Sequence, residues 1–366
     1  MNLLGSKYII DGVPQDSTPE RLLSSVCPSA PDTAGECGTI IDESVDPALE
    51  THTWDASAVP DYLALVATGA TPLSLPFASH RTRSVIASAL IDALWKDGHF
   101  RLGNLSLRLD WRWNGAAVGS QAAFYESARA ASEYVDGLGI TLDGFSCSDG
   151  DTASVAASAQ LSGRNGAEDD CFETEFVGTP ELCGTRTLPG TFVPDGSSWV
   201  VYIPFDTSDY RLGGSLLAWR LGKGGGVCPQ IDDPDYFIDC YEVVRELVED
   251  GVVIAASTVG DGGLAAALGR MCSGGTGLSA DLSDLRHSSG EDNIVRLLFA
   301  ELPGAVIQIR DSDFDYLDAE LLLQDVAFFP LGHPSVGNGR LSFTAPDRSG
   351  IQTILESLML NAEGED

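Results

Sequence analysis

From Val252 to Leu285 the chain runs from an apolar stretch, Val252-Val253-Ile254-Ala255-Ala256, through a polar turn, Ser257-Thr258-Val259-Gly260-Asp261-Gly262-Gly263. It then enters Leu264-Ala265-Ala266-Ala267-Leu268-Gly269-Arg270-Met271. The pattern predicts a strand, a glycine-rich turn and a helix, and the rest of the second half must be built around that unit. Glycines permit positive φ and a close approach by a ligand, and a helix N-terminus beyond them offers unpaired N–H groups to an anion. Taken alone, the turn reads more readily as an ordinary strand–helix corner than as a phosphate seat.

The surrounding segments repeat this alternation. Trp199 to Phe205 reads as a buried strand and leads to a second glycine turn, Tyr210-Arg211-Leu212-Gly213-Gly214-Ser215. Helices are predicted over Asp235–Asp250, Ile294–Glu301 and Phe314–Leu323, and strands over Ala305–Ile309, Ala327–Leu331 and Leu341–Thr344. Residues 196–366 therefore read as an α/β domain. Residues 1–195 read as an α+β domain, with the boundary near Pro189–Ser198. A short strand, Lys7–Ile10, precedes residues 11–53, which show little periodicity and read largely as loop. Val59–Gly69 reads as helix, Thr71–Phe77 as extended and Arg83–Lys96 as helix. Leu105–Trp113 is a strand with Leu105, Leu107, Leu109 and Trp111 on one side and Ser106, Arg108 and Asp110 on the other. Gln121–Leu138 is an amphipathic helix closed by Gly139 in the left-handed region. Ser162–Asp170 is a polar excursion before alternation resumes over Phe172–Val177.

Composition narrows the function. A formal charge of -33, with lysine only at Lys7, Lys96 and Lys223, excludes a surface for nucleic acid or an anionic membrane. High-salt adaptation and a bias for arginine over lysine explain the acidity equally well. Eight cysteines without any C-x-x-C pair indicate neither a zinc site nor a disulfide framework, and free, mostly buried thiols are expected. Without an uninterrupted apolar run of about eighteen residues or a charged leader, a cytoplasmic protein is expected.

Val259-Gly260-Asp261-Gly262-Gly263-Leu264, Gly277-Leu278-Ser279-Ala280-Asp281-Leu282, Leu298-Phe299-Ala300-Glu301 and Gly304-Ala305-Val306-Ile307-Gln308-Ile309 resemble the C-terminal half of phosphoribosylformylglycinamidine synthase. That enzyme belongs to the aminoimidazole-ribonucleotide synthetase superfamily. Phe124-Tyr125-Glu126-Ser127-Ala128, Gly137-Leu138-Gly139-Ile140-Thr141 and Leu212-Gly213-Gly214-Ser215 extend the likeness over most of the chain. The resemblance implies an ATP-dependent C–N ligase of purine synthesis that uses ATP/ADP and magnesium. It also implies a homodimer or a pairing with a first-half synthetase chain, supplied with ammonia by a glutaminase. Phosphate would sit at Gly213, Gly214 and Ser215 and at Asp261, Gly262 and Gly263, with Asp261 as metal ligand.

Four departures interrupt that pattern. A His-Asp pair is replaced by Ser257 and Thr258, and an Asp-Arg…Gly motif has no counterpart at Gln15-Asp16-Ser17-Thr18. Lys-Asp-Ser after a glycine becomes Phe145-Ser146-Cys147 after Gly144, and Phe-Asn-Glu-Glu becomes Phe299-Ala300-Glu301-Leu302. Phenylalanine cannot neutralise phosphate, and serine is a weak ligand for a hard cation. Asp149 and Asp151 are either substitute ligands or solvated turn formers. His80 lies beside a loop of the resemblance, and Arg81 and Arg83 await either a phosphate or an acidic partner. The departures imply a degenerate synthetase half serving as a structural or partner-binding module, comparable to the enzyme-derived tegument proteins of gammaherpesviruses. The alternative is an active subunit completed by a separate first-half chain. Gly214→Val is expected to abolish phosphate binding with folding largely intact.

Overall fold

The computed structural model describes residues 2–30, 35–47, 73–96, 98–161, 187–220, 226–272 and 275–344. The expectations for Val59–Gly69, Ser162–Asp170 and Phe172–Val177 lie outside these residues.

The chain opens with β1 (Lys7–Ile10) and β2 (Val13–Pro14), an antiparallel pair, and β3 (Thr39–Asp42) then adds to β1 in parallel. Between them lies α1 (Pro19–Ser25). The long-loop expectation therefore needs correction at two places. Helix α1 starts because the Thr18 hydroxyl accepts from the Arg21 N–H and Pro19 fits the first turn, a start signal independent of apolar periodicity. Strand β3 is too short to show alternation and is defined by its pairing with β1.

Helix α2 (Ala78–Lys96) starts five residues before its apolar periodicity does, directly after a 3-10 turn, Leu75–Phe77, where extended backbone was expected. Strand β4 (Leu105–Trp113) alternates as its sequence demands: Leu107, Leu109 and Trp111 are fully buried while Arg108 and Arg112 face out. It is the centre of the sheet β5-β4-β6, with β5 (Thr141–Asp149) parallel and β6 (Ser154–Leu161) antiparallel to it. Helices α2 and α3 (Ser120–Gly137) pack on each other and on this sheet. The rings of Trp111 and Trp113 meet Phe124 edge-on. Their indole N–H groups reach the Ser127 hydroxyl at 2.8 Å and the Ser120 carbonyl at 2.6 Å, so the buried polar ends are satisfied. Gly139 has φ +65°, the left-handed stop expected for α3.

In the second half, β7 (Trp199–Pro204), β8 (Val253–Val259), β10 (Gly304–Ile309) and β11 (Phe329–Gly332) form an antiparallel sheet in the order β11-β7-β10-β8. Its strands read as continuous apolar runs because both faces are covered. Val201, Ile203, Ala305 and Ile307 join one core with α2, α3 and α5 (Pro234–Glu249). Val200, Tyr202 and Val306 join a second with α6 (Gly263–Met271) and α8 (Ile294–Phe299). The first core runs without a break from β4 to β10, so α2 is shared between the sheets. Strands and helices interleave as their order predicts, with the short helices α4 (Leu216–Arg220) and α7 (Ser283–Ser289) and with α9 (Phe314–Leu323) between strands. Strand β9 (Thr276–Asp281) lies between β12 (Pro334–Val336) and β13 (Leu341–Thr344). The molecule is α+β in class.

Candidate functional site

The two glycine turns, far apart in sequence, meet at one carboxylate. Strand β8 ends at Val259, and Gly262 (φ +78°) and Gly263 (φ +68°) turn the chain into α6. Gly213, Gly214 and Ser215 precede α4, and the Ser215 hydroxyl caps it by accepting from the Ala218 N–H at 3.2 Å. Helix α8 stops at Phe299, two residues short of the expected end, and leaves Glu301 on extended chain. Its Oε1 accepts from the Leu216 N–H and the Gly262 N–H, each at 3.0 Å, and so ties the two turns together. Glu301 does for both turns what a bound anion would do.

Arg81, from the first turn of α2, supplies the countercharge. Its guanidinium meets Asp261 with two parallel contacts, one from Nη2 to Oδ2 at 2.7 Å and one from Nη1 to Oδ1, and Nη1 lies 3.7 Å from Glu301 Oε2. The side chain of Arg81 is 9% exposed, that of Asp261 24% and that of Glu301 3%. Burial opposes the charge on Arg81, but Asp261, and then Glu301, more than offset it, so its pKa is raised and the guanidinium stays protonated. Burial, followed by the Asp261 charge, pushes Glu301 up to about 7 against the pull of Arg81 and of the two amides. Gly260 lets α2 approach this closely, since a Cβ there would lie 2.7 Å from the Ser88 hydroxyl.

The sequence-predicted residues thus divide. Gly213, Gly214, Ser215, Asp261, Gly262 and Gly263 do come together, but several of their amide donors already have partners. The Gly213 N–H donates to the Val227 carbonyl, Ser215 to Leu212, Gly263 to Gly260 and Gly262 to Glu301. The space above the glycines is filled by the chain itself. A Cβ on Gly213 would lie 2.5 Å from the Val227 backbone, one on Gly214 2.8 Å from the Phe77 ring, and one on Gly263 2.6 Å from the Leu298 carbonyl. Gly214→Val, expected to spare the fold, therefore strikes Phe77 at a backbone with φ +75°.

Of the two positions that replace the His-Asp pair of the resemblance, Thr258 is tied into the surrounding structure. The Thr258 hydroxyl donates to Asp92 and accepts from the Trp95 indole at 2.9 Å, and its carbonyl accepts from Arg270 at 2.7 Å. Ser146, one of the Lys-Asp-Ser replacements, donates to Asp110 across the sheet at 2.5 Å. Asp149 and Asp151 are exposed at the end of β5 and in the turn after it. Arg83 finds Glu133 at 3.3 Å and the Ile231 carbonyl at 3.1 Å. His80 is buried with Nδ1 unpartnered. Burial, then the charges of Arg81 and Arg83, holds its pKa down at about 4, so it is neutral at pH 7.

These residues do not fit the magnesium ion that the resemblance implies. Mg²⁺ takes six oxygens in near-octahedral array, whereas both oxygens of Asp261 face one guanidinium and Glu301 Oε1 is spent on two amides. Among the described residues no group of three or more His, Cys, Asp or Glu is placed to hold a metal. Six free cysteines are described, of which only Cys27 and Cys240 are buried, fewer than expected. No helix of the described residues is long and apolar enough to cross a membrane. One further cleft, about 160 Å³, lies at the start of the chain between Lys7, Asp16, Thr18, Arg21 and Glu36, where Lys7 pairs with Glu36 at 2.9 Å.

The helix-covered antiparallel sheet and its two glycine turns have counterparts among known proteins. Residues 207–315 match the AIR synthase related protein, C-terminal domain. The chain is 27% identical over 252 residues to the probable chloroplastic/mitochondrial phosphoribosylformylglycinamidine synthase of Arabidopsis thaliana, covering 69% of this chain and 17% of that protein. It is 26% identical over 205 residues to phosphoribosylformylglycinamidine synthase of Homo sapiens, covering 56% of this chain and 14% of that one. The chain thus spans less than a fifth of the length of these relatives. Among solved structures, PurLQS from Thermotoga maritima superposes with a TM-score of 0.50 at 11% identity, over 80% of this chain and 47% of that one, a likeness of fold. Residues 207–315 thus resemble the C-terminal domain of AIR synthase related proteins, and the chain is similar over more than half of its length to phosphoribosylformylglycinamidine synthases.

Proposed function

We propose that this chain is a catalytically silent synthetase half that serves as a structural or partner-binding module within the purine-biosynthesis ligase family. The observation that carries this reading is the pairing of Asp261, the clearest match to a family metal ligand, with Arg81 while Glu301 takes up amides of both glycine turns. Phosphoryl transfer needs positioned cations against the charge that develops on the transferred group. A triphosphate entering here would meet two carboxylates, one committed guanidinium and a chain of formal charge -33. The expected outcome is no ATP turnover above background in the presence of formylglycinamide ribonucleotide, ammonia and magnesium. Turnover that disappears in Asp261→Asn would overturn the reading.

The second reading is an active subunit that works with a separate first-half chain and a glutaminase. What favours it is that the likeness to a synthase covers 69% of the chain, and that both turns fall within residues 207–315, which match the AIR synthase related C-terminal domain. It requires Glu301 to withdraw and free the amides of Leu216 and Gly262 for a nucleotide phosphate. Calorimetry with ADP separates the two, since the silent half gives no heat at these turns. On either reading the chain works paired, with itself or with a first-half chain. The pairing surface is the sheet β5-β4-β6, whose edge strands β5 and β6 carry half-exposed and exposed residues over most of their length. Sedimentation velocity at micromolar concentration checks this, and a stable monomer that ignores an added first-half chain would count against it.

A further inference from the structure

We propose that the guanidinium of Arg81 is a built-in cation of this site, standing where a divalent metal would bind between Asp261 and Glu301, so that the wild-type turns bind no divalent cation.

Three observations carry it. The guanidinium faces Asp261 with both terminal nitrogens, the fork-to-fork geometry that engages both oxygens of a carboxylate, and one of those nitrogens is 3.7 Å from the second carboxylate. It is therefore shared between two acids, as a bridging metal is. Arginine is also the cation suited to this place, because it stays charged when buried and its planar fork fixes direction, whereas lysine is a point charge that deprotonates more readily. Lastly, the neighbouring groups have other duties. The Thr258 hydroxyl is held between Asp92 and Trp95, and Glu301 Oε1 between two amides, which leaves too few free oxygens for a coordination shell while Arg81 holds Asp261. The position of Arg81 is itself over-determined: Gly260 admits α2 against the turn, and the side chain is nearly excluded from water.

The test is a titration of the full chain with MnCl₂ by electron paramagnetic resonance and calorimetry, in about 0.5 M NaCl so that the acidic surface is screened. Wild type is expected to show no saturable one-to-one site. Arg81→Met leaves two carboxylates without their cation, and Mn²⁺ is expected to raise its unfolding temperature saturably by several degrees. That gain should vanish in Arg81→Met/Asp261→Asn. A one-to-one site in the wild type that is lost in Asp261→Asn overturns the proposal, and so does an Arg81→Met protein that folds and gains nothing from Mn²⁺. The wild-type titration stands even if Arg81→Met fails to fold. The inference is also separable from the silent-half reading. ATP turnover with nucleotide-borne magnesium would refute that reading alone, and an intrinsic metal site without turnover would refute this one alone.

Discussion

Removing the Glu301 side chain would be felt at both glycine turns and at Arg81. Glu301→Ala strips an acceptor from two buried N–H groups and leaves Arg81 with a single acid, whereas Glu301→Gln keeps a carbonyl oxygen for both amides. An unsatisfied buried donor costs about 1–3 kcal/mol. The alanine variant should therefore be less stable than the glutamine variant by roughly 3 kcal/mol in urea unfolding. Equal losses would mean that the amide contacts contribute nothing. His80 gives a pH signature. Its folded pKa of about 4 lies below the ordinary 6.5, through burial and then the charges of Arg81 and Arg83, with a backbone hydrogen bond to Pro229 opposing them. The stability this group gives is fully present above pH 6.5 and is lost as pH falls toward 4. At about 1.4 kcal/mol per pH unit the loss reaches roughly 3 kcal/mol. His80→Gln should flatten the acid limb of the stability curve in that window, and an unchanged slope would show that His80 is not held neutral.

Two helices share a device. Helices α3 and α6 both start at a glycine in the left-handed region, Gly119 at φ +77° and Gly262 at φ +78°, neither of which can cap with a side chain. In each case a carboxylate from elsewhere in the chain takes the amides. Asp42 accepts from Gly119, Gln121 and Ala122 at 2.9–3.1 Å, as Glu301 accepts from Gly262. A glycine at a helix start here marks a place where a protein carboxylate enters. The first helix (α1) and β3 were not legible because the Thr18 cap sets the one and pairing with β1 the other, and neither lies in a periodic apolar stretch. The strands β4, β7, β8 and β10 and the helices α3, α5 and α6 were legible, because burial on one or both faces writes itself into the residue pattern. The presence of both glycine turns was legible too, but their closure was not. Arg81 and Asp261 are 180 positions apart and Glu301 and Leu216 are 85 apart, and no local pattern records such pairs. The turns also differ in what they tolerate. Gly139 has φ +65° and open space at its Cβ, whereas Gly214 has φ +75° and Phe77 at 2.8 Å. Gly139→Ala should cost about 1 kcal/mol for backbone strain, and Gly214→Ala about 3 kcal/mol because overpacking adds to it. Similar losses in thermal unfolding would show that Phe77 yields to the added methyl group.

Across the whole molecule electrostatics is dominated by repulsion, with 54 acidic side chains against 21 lysines and arginines. Surface ion pairs such as Lys7–Glu36 and Arg129–Glu126 lie in water and contribute at most about 1 kcal/mol each, so they cannot offset it. The unfolded chain spreads the same charges over a larger volume, and self-repulsion therefore destabilises the compact state more than the expanded one. Salt shortens the screening length from about 30 Å at 0.01 M to about 3 Å at 1 M, which removes repulsion between carboxylates further apart than an ion pair. The buried Arg81–Asp261–Glu301 cluster is shielded from that screening and keeps its geometry. The unfolding temperature should therefore rise steadily with sodium chloride over this range, in wild type and in Glu301→Gln alike, with no midpoint that would signal a specific ion. A fall in unfolding temperature with added salt would mean that the exposed ion pairs outweigh the net charge, and that attraction rather than repulsion governs the surface.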